Sequence, residues 1–244
     1  VPDAAAVNTS VQLSKSFVPP WIVGYVNGLL RQVTRRHHLV SFPAVNVDPP
    51  GTLAAEKSFP VWMTKRWLNR FGRKRTESLC DFINTIPPIT LRTNTLKVSR
   101  ETLLNALGGH VDTMQFTDHS ADGIRCITPR MPLAEMAAFT IGRFYVQDEA
   151  AQLASYWFDP HPNDNVLNAC AGRGGKTGHI AQIMNDKGHI IALDNHQGKL
   201  SWLTGEVDRL GISIVETCCH DLMDPHIPLP RASFDRILLD APCS

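Results

Sequence analysis

The feature that most constrains this chain is an apolar segment that breaks into a glycine-rich turn and then into a polar helix start. Residues 165–170 are mostly apolar, and they are followed by Ala171-Gly172-Arg173-Gly174-Gly175 and by Lys176-Thr177. A strand, turn and helix of this kind lets backbone N–H groups approach a nucleotide-like ligand closely. A second apolar segment, 189–193, ends in Asp194, whose carboxylate could accept two hydrogen bonds from a ribose diol. The segment therefore predicts a βαβ unit with a ligand site at its first turn.

Several kinds of ligand site fit parts of this turn. A Walker A phosphate loop matches at Gly175-Lys176-Thr177, but its first glycine would fall on Cys170. A dinucleotide G-x-G-x-x-G fingerprint matches Gly172 and Gly174, but its last glycine would fall on Thr177. An S-adenosylmethionine site needs a less regular loop with the same acidic residue after the second strand. A purely structural junction, with glycines for tight packing, is also open, so the loop alone does not decide.

The residues after Asp194 favour an open parallel sheet. Two more apolar segments, 212–216 and 234–239, alternate with helical stretches at 178–185 and 197–210, which predicts successive βα units. Each predicted strand ends in polar or reactive residues: Asn168 and Cys170, Asp194, Asp221, Asp240 and Cys243. Because ligands bind at the carboxyl ends of strands in such sheets, we expect these side chains to converge.

Motifs along nearly the whole chain point to one family. They are CAGRGGKT, ALDNHQGKL and LLDAPCS in the C-terminal half, and PVWMTKRWLNRFG (60–72), PPITLRTNTLKVSRETLLNAL (87–107) and GRFYVQDEAAQLAS (142–155) before it. Together they resemble the RNA cytosine-5 methyltransferases of the Sun/NOP2 type, and most of all the bacterial subfamily that methylates a cytosine of 16S ribosomal RNA. The resemblance implies an α/β fold with a Rossmann-like S-adenosylmethionine-dependent methyltransferase sheet. It further implies a small α+β RNA-binding module and the tail of a NusB-like helical domain before that sheet.

The expected domain organisation combines this resemblance with local patterns. Apolar residues recur at helical spacing from Trp21 to Val33, whereas Pro43, Pro49 and Pro50 stand in a stretch with little periodicity. Four segments are expected: a NusB-like C-terminal part (1–42), a linker (43–59), a small α+β RNA-presenting domain (60–141) and an incomplete methyltransferase domain (142–244).

The small module is predicted from alternating and capping patterns. Residues 89–96 alternate as a strand, and weaker strands are expected near 113–116 and 124–128. Ser99 is a suitable N-cap for a helix ending at the glycines after Leu107. Residues 144–148 are interpreted as a hinge into a helix over 149–157.

Charge separates the two ends of the chain. Residues 1–100 contain 14 Lys or Arg and 5 acids, whereas residues 101–244 contain 10 and 18. The basic part suits a polyanion, and the resemblance makes ribosomal RNA the expected partner. A helix after Pro60 is expected to bury Trp62, Trp67, Leu68 and Phe71 and to expose its cations (Lys65, Arg66, Arg70, Arg73, Lys74 and Arg75). An ordinary solvated basic face is the alternative interpretation.

Bulk properties exclude several classes of protein. The longest apolar runs are far shorter than the roughly 18–20 residues of a membrane span, and no signal-peptide pattern opens the chain. Six cysteines in 244 residues, one pair adjacent, do not resemble a secreted disulfide framework, so a reduced cytoplasmic protein, taken as a monomer, is expected. Cys80 and Cys126 are interpreted as small core residues. Cys218-Cys219-His220 lacks a second cysteine pair, so no metal site is expected.

Methylation of cytosine at C5 requires covalent catalysis, because this carbon is a poor nucleophile. A thiolate that adds to C6 makes C5 electron-rich, C5 takes a methyl group from a sulfonium donor, and a base then removes the C5 proton so that the thiol leaves. In the resembling family two cysteines share this work. The resemblance assigns Cys243 to product release, and it places the covalent nucleophile in a motif beyond Ser244. The chain is therefore expected to be a fragment, truncated at both ends, that does not turn over.

The resemblance also assigns the cofactor site. The methionine part would be wrapped by the loop residues Cys170, Ala171, Gly172, Arg173, Gly174, Gly175 and Lys176. Asp194 would hold the ribose hydroxyls, Asp221 would lie near the adenine, and Asp240 would lie near the methionine amino group or the target base. The family usually has Ala-Pro at Gly172-Arg173 and an acid at Asn168. These departures motivate a second hypothesis, a non-catalytic RNA-binding relative with a weakened cofactor site.

Overall fold

The computed structural model describes residues 2–39, 46–229 and 233–241. The chain divides into a helical unit, Val1–Ile86, and a second unit, Pro87–Ser244, whose described residues form two four-stranded sheets. The helices are α1 (Asp3–Ser14), α2 (Pro20–Arg36), α3 (Pro49–Lys57), α4 (Val61–Ile83), α5 (Arg100–Leu107), α6 (Ala137–Thr140), α7 (Glu149–Phe158), α8 (Gly175–Ile183) and α9 (Gln197–Leu210). The strands are β1 (Ile89–Thr93), β2 (Val111–Phe116), β3 (Gly123–Pro129), β4 (Phe144–Val146), β5 (Asn165–Asn168), β6 (His189–Asp194), β7 (Val215–Cys219) and β8 (Arg236–Leu238). Within these described ranges, no helix is long and apolar enough to cross a bilayer.

Helix α2 is the helix predicted from the apolar spacing between Trp21 and Val33. It begins at Pro20, where the missing N–H costs nothing, and its last turn carries Arg35 and Arg36, which suit the negative end of the helix dipole. The apolar stripe is only partly exposed: Trp21 retains 76% of its accessible surface, whereas Ile22, Val26 and Leu30 are half-buried. The spacing therefore predicted the helix correctly, although none of the residues of α2 is fully buried.

Helix α3 lies inside the segment 43–59, so the interpretation of this segment as a linker is wrong over residues 49–57. Residues 43–45 lie outside the described residues. The carboxylate of Asp48 accepts a hydrogen bond from Gly51 N at 3.0 Å, and Pro49 occupies the first helical position. The helix ends at Ser58 in the left-handed conformation. Pro49 and Pro50 thus begin this helix and do not interrupt it, because proline is compatible with the first turn of a helix.

The predicted buried stripe of helix α4 is wrong at two of its four residues. Trp62 and Phe71 are exposed, while Thr64 and Thr76 are fully buried. Thr64 Oγ1 donates a hydrogen bond to the carbonyl of Pro50 at 2.9 Å, so a small polar side chain lies where α3 approaches α4. The predicted cations are all exposed: Lys65, Arg66, Arg70, Arg73, Lys74 and Arg75.

The first sheet is antiparallel, with the order β2-β3-β1-β4. Leu91 pairs with Ile124 on one side and with Val146 on the other, and it is fully buried. The predicted cap is present, since Ser99 Oγ accepts a hydrogen bond from Thr102 N at 3.2 Å. The predicted hinge is wrong at its start, because Phe144–Val146 form the edge strand β4 of this sheet.

The second sheet is parallel, with the order β7-β6-β5-β8, as predicted for a Rossmann-like fold. The chain proceeds outward from β5 to β6 and β7, and then returns to place β8 on the other side of β5. The strand order thus reverses at β5, and open α/β sheets bind ligands at such a reversal. Helices α8 and α9 cover one face, where Ile180, Leu200 and Leu203 are buried against β5 and β6.

The two sheets are joined by hydrogen bonds of the buried side chain Asn94 and of the loop residue Asp122. Asn94 Nδ2 donates to the carbonyls of Gly142 and Leu210, both at 2.8 Å. Asp122 accepts a hydrogen bond from Gln182 Nε2 at 2.7 Å and lies 3.4 Å from His179 Nε2. These contacts fix the small antiparallel sheet against the helices of the parallel sheet.

Candidate functional site

A hollow of about 860 Å³ opens at the carboxyl end of the parallel sheet. The predicted site residues that line it are Cys170, Ala171, Gly172, Arg173, Gly175, Lys176, Asp194, Asp221 and Asp240. Gly174 belongs to the same loop but is not among the lining residues, and Cys243 lies outside the described residues. The expected convergence of the strand ends after β5, β6, β7 and β8 is therefore present in the fold.

The loop after β5 is shaped by two glycines with left-handed backbones. Gly172 has φ 58° and Gly174 has φ 87°. A Cβ on Gly174 would lie 2.7 Å from Leu203 Cγ, so this glycine is required where the loop packs on α9. A Cβ on Gly172 would meet none of the described atoms within 4 Å, which leaves open space above the loop. Gly174 thus supports the loop from behind, while Gly172 faces the opening.

Asp194 links the two strand ends through its carboxylate. Oδ2 accepts a hydrogen bond from Gly172 N at 2.9 Å, and Oδ1 accepts one from His196 N at 3.0 Å. Lys199 Nζ lies 3.7 Å from Oδ1. An ionised carboxylate offers about four acceptor positions, so Asp194 can hold the loop and still accept hydrogen bonds from a ligand.

Asn168 presents an acceptor that the protein leaves without a partner. Its Nδ2 donates to Thr177 Oγ1 at 3.0 Å, whereas its Oδ1 is buried and has no hydrogen-bond partner among the described residues. The residue is 1% exposed and lines the hollow. A buried acceptor without a partner is costly, which suits a site completed by a ligand donor.

Lys176 and Asp240 form an ion pair at the hollow. Lys176 Nζ lies 2.5 Å from Asp240 Oδ2, which joins the first turn of α8 to the end of β8. The Asp240 side chain is about half exposed. The pair can therefore exchange partners with a polar ligand at low cost, because exposed ion pairs are weak.

Cys170 and Arg173 have local partners that limit their chemistry. Burial raises the pKa of the Cys170 thiol, and the negative charges of Asp194 and Asp240 raise it further. Cys170 is therefore a thiol at neutral pH. The Arg173 guanidinium lies 5.3 Å from the ring centre of Trp202 on α9, a cation–π distance.

Four residues that are not predicted site residues also line the hollow: Tyr145, Gln147, Lys199 and Met223. Tyr145 and Gln147 lie on or just after β4, in the FYVQDE segment that was interpreted as a hinge. Alternation along a strand of that segment would have placed Tyr145 and Gln147 on one face. Among the described residues, no cluster of three or more His, Cys, Asp or Glu could hold a metal ion.

Two family models match the chain. The model described as "16S rRNA methyltransferase RsmB/F" matches residues 155–244, and the model described as "Methyltr_RsmF/B-like, ferredoxin-like domain" matches residues 59–132. The "Probable ribosomal RNA small subunit methyltransferase B" of Bacillus subtilis is 35% identical over 245 residues and is matched by 100% of this chain. The "Ribosomal RNA small subunit methyltransferase B" of Pectobacterium atrosepticum is 31% identical over 245 residues, again across 100% of this chain.

The chain belongs to the RsmB/F methyltransferase family. The resemblance to Sun/NOP2-type enzymes is confirmed, and the chain spans about half the length of these curated relatives, 54% in both cases.

Solved structures agree with this RsmB/F assignment at the level of the fold. A protein described as PH0851 has a TM-score of 0.81 and 28% identity, and covers 96% of this chain and 51% of its own length. The structure of NSun6 from Pyrococcus horikoshii with SFG has a TM-score of 0.64 and 21% identity, and covers 73% of this chain and 69% of its own. The α/β fold class predicted from the sequence is therefore confirmed.

Proposed function

We propose that this protein binds S-adenosylmethionine in the hollow and methylates C5 of a cytosine in 16S ribosomal RNA, in the cytoplasm. The observation that carries the proposal is the meeting of Asp194, Asp240 and the loop at residues 170–176 around one hollow. That hollow lies where the strand order reverses at β5, the position at which Rossmann-like sheets hold nucleotide ligands. Membership of the RsmB/F family supports the choice of substrate.

The residues present fit the cofactor. Asp194 retains acceptor positions for two ribose hydroxyls, and the Oδ1 of Asn168 is an acceptor suited to the methionine ammonium group. Asp221 accepts a hydrogen bond from Met223 N at 2.9 Å, which shapes the turn assigned to the adenine. When bound, S-adenosylmethionine supplies an electrophilic methyl group on a sulfonium.

The target base is assigned to the side of the hollow at Lys176 and Asp240. Asp240 can accept a hydrogen bond from the exocyclic amine of cytosine, and Lys176 can donate to its carbonyl. The covalent cysteine–C6 adduct and the role of Cys243 in product release complete the proposal on the basis of the family resemblance. Ribosomal RNA is the proposed partner of the exposed cations on α4.

Binding by the chain itself is the first test. We expect isothermal titration to give micromolar affinity for S-adenosylmethionine and no binding of ATP or NAD⁺, which serve as controls for the phosphate-loop and dinucleotide interpretations of the glycine turn. Binding of ATP in preference to S-adenosylmethionine would contradict the proposal.

The substrate is tested in cells. We expect bisulfite sequencing of ribosomal RNA from cells lacking the gene to show loss of one methylcytosine in 16S RNA, restored by a plasmid copy. An unchanged methylation pattern would remove the ribosomal substrate from the proposal.

The second candidate is a non-catalytic RNA-binding relative. It is favoured by Arg173, a cation that lines the hollow where the family usually has proline. Absence of S-adenosylmethionine binding at millimolar concentration, with RNA binding retained, would favour this candidate.

A further inference from the structure

Arg92 is a buried guanidinium that contacts the hollow from behind. It lies on β1 of the antiparallel sheet and is 1% exposed. Its Nη1 donates to Gln147 Oε1 and to the carbonyl of Gly175 at 2.6 Å, and its guanidinium carbon lies 5.2 Å from the ring centre of Tyr145. Gly175 begins α8, which packs on the parallel sheet, while Tyr145 and Gln147 belong to the β4 segment of the antiparallel sheet. One side chain therefore joins both walls of the hollow.

Burying a cation to join the two walls costs free energy. Burial lowers the pKa of Arg92 to about 10, so the group is still charged at neutral pH. Its Nη1 donates to two neutral acceptors, and its buried Nε has no partner among the described residues. It also lies at the positive end of α8, where a cation is unfavourable. An apolar residue would fill the space at lower cost, which indicates that the directed hydrogen bonds of the guanidinium serve another purpose.

We propose that Arg92 is a positioning residue, which fixes the Gly175 carbonyl, the Gln147 amide and the Tyr145 ring so that the glycine loop and β4 face each other across the cofactor site. This inference rests on the function proposed above. Hydrogen bonds from one planar group to two chain segments fix both their distance and their relative orientation, as a point charge cannot. Removal of this group should increase the mobility of the glycine loop while the domain remains folded.

Arg209 provides a matched control within the same unit. It lies on α9 and also joins the two sheets, because its guanidinium donates to the carbonyls of Phe139 at 2.6 Å and Phe144 at 3.2 Å. It also pairs with Glu206 at 2.6 Å. None of these partners lines the hollow. Loss of Arg209 should therefore cost stability without a selective effect on the loop.

The test compares Arg92→Lys and Arg92→Met with Arg209→Lys and Arg209→Met. We expect both Arg92 variants to bind S-adenosylmethionine about tenfold or more weakly by isothermal titration, since small displacements of a binding loop have large effects. The Arg209 variants should bind within about twofold of wild type at a comparable loss of thermal midpoint. Arg92→Lys carries the comparison if Arg92→Met does not fold.

Hydrogen exchange without ligand separates this inference from the proposed function. Deuterium uptake over residues 170–176 should rise in the Arg92 variants and remain at the wild-type level in the Arg209 variants. Equal loosening or equal loss of affinity in both sets would reduce Arg92 to a structural residue and overturn the inference. If wild type itself failed to bind S-adenosylmethionine, the proposed function would fail, while the exchange comparison would still decide the role of Arg92.

Discussion

At the scale of single residues, the site depends on how one carboxylate divides its acceptor positions. Asp194 holds the backbone of Gly172 and His196 with one hydrogen bond to each oxygen. The same group is the proposed ribose acceptor, so loop geometry and ligand affinity depend on one side chain. A change at Asp194 should alter both together.

We predict that Asp194→Asn lowers the affinity for S-adenosylmethionine by about tenfold to a hundredfold. The amide keeps one acceptor but loses the charge and replaces the other acceptor with a donor, and hydrogen bonds to charged groups contribute about 1.5–3 kcal/mol. Isothermal titration measures the effect. Asp186→Asn is the control, because Asp186 also accepts backbone hydrogen bonds, from Ser213 N at 2.9 Å, but does not line the hollow. Equal losses in the two variants would contradict a ligand role for Asp194.

Cys170 gives a prediction on pH. Because burial, Asp194 and Asp240 raise the pKa of this thiol, its thiolate forms only at a pH above the ordinary ~8.5 of a free cysteine. We expect alkylation of Cys170 by iodoacetamide, followed by mass spectrometry, to rise with pH to a midpoint above that value. Asp194→Asn should lower the midpoint by removing one negative charge. A midpoint below 8 (about half a unit under the free thiol) would show an activated cysteine instead.

At the scale of elements, Gly142 determines how closely the two sheets of the second unit approach. Its φ is 72°, and a Cβ at this position would lie 1.9 Å from the carbonyl oxygen of Arg209, at the end of α9. The backbone of the antiparallel module thus touches the backbone of a helix of the parallel sheet. No rotamer change can relieve such a clash, since both partners are main chain.

We therefore predict that Gly142→Ala destabilises the second unit by about 2–4 kcal/mol, the left-handed backbone contributing about 1–2 and the clash the remainder. Gly109→Ala is the control, because Gly109 has φ 89° but no described atom within 4 Å of the added Cβ. Gly109→Ala should destabilise the unit only by the contribution of the left-handed backbone, about 1–2 kcal/mol. Urea unfolding followed by hydrogen exchange in peptides from 87–229 measures both. Equal destabilisation would show that the contact with α9 yields without cost.

The elements also show what the sequence could and could not predict. Strands β5 and β6 and helix α9 follow from apolar runs and helical spacing, because both faces of a parallel strand are covered. Strand β7 begins at Val215, three residues later than the predicted 212, since a continuous apolar run does not mark where pairing starts. Strand β4 carried too little local signal, because three residues pair with β1 far back in the chain.

Part of the candidate site could likewise be predicted from the sequence. The motif positions identified the loop, Asp194 and Asp240, whose convergence follows from the rule for parallel sheets. The direction in which Gly174 faces could not be predicted, since it depends on Leu203 of a later helix. Nor could the burial of Thr64 in place of Trp62, which depends on the face of α4 that α3 covers.

At the scale of the whole second unit, a buried histidine connects stability to pH. His179 on α8 is fully buried, 3.4 Å from Asp122 and 5.0 Å from the ring centre of Tyr156. Burial outweighs the attraction of Asp122 and lowers the pKa of His179 to about 4, and the Arg92 charge acts in the same direction. Between pH 6.5 and about 4, the imidazole of His179 is therefore neutral in the folded unit but protonated in the unfolded chain.

We predict that the second unit loses stability as the pH falls from about 6.5 toward 4, by about 3 kcal/mol from His179 alone. Above pH 6.5 this residue should have no effect on the pH dependence, because it is neutral in both the folded and the unfolded state. His179→Gln should remove this part of the slope, whereas His189→Gln, at a half-exposed position, should leave it. Hydrogen exchange of the second unit at several pH values measures the slope. Parallel slopes for wild type and His179→Gln would contradict the prediction.

Trp202 makes the loop visible to fluorescence. Its indole is 55% exposed, and the neighbouring guanidinium of Arg173 belongs to the segment that a ligand would contact. Any movement of that segment changes the electric field on the indole and therefore its emission. A variant that keeps Trp202 as its single tryptophan would carry an intrinsic optical probe of loop movement, without a dye attached to the protein.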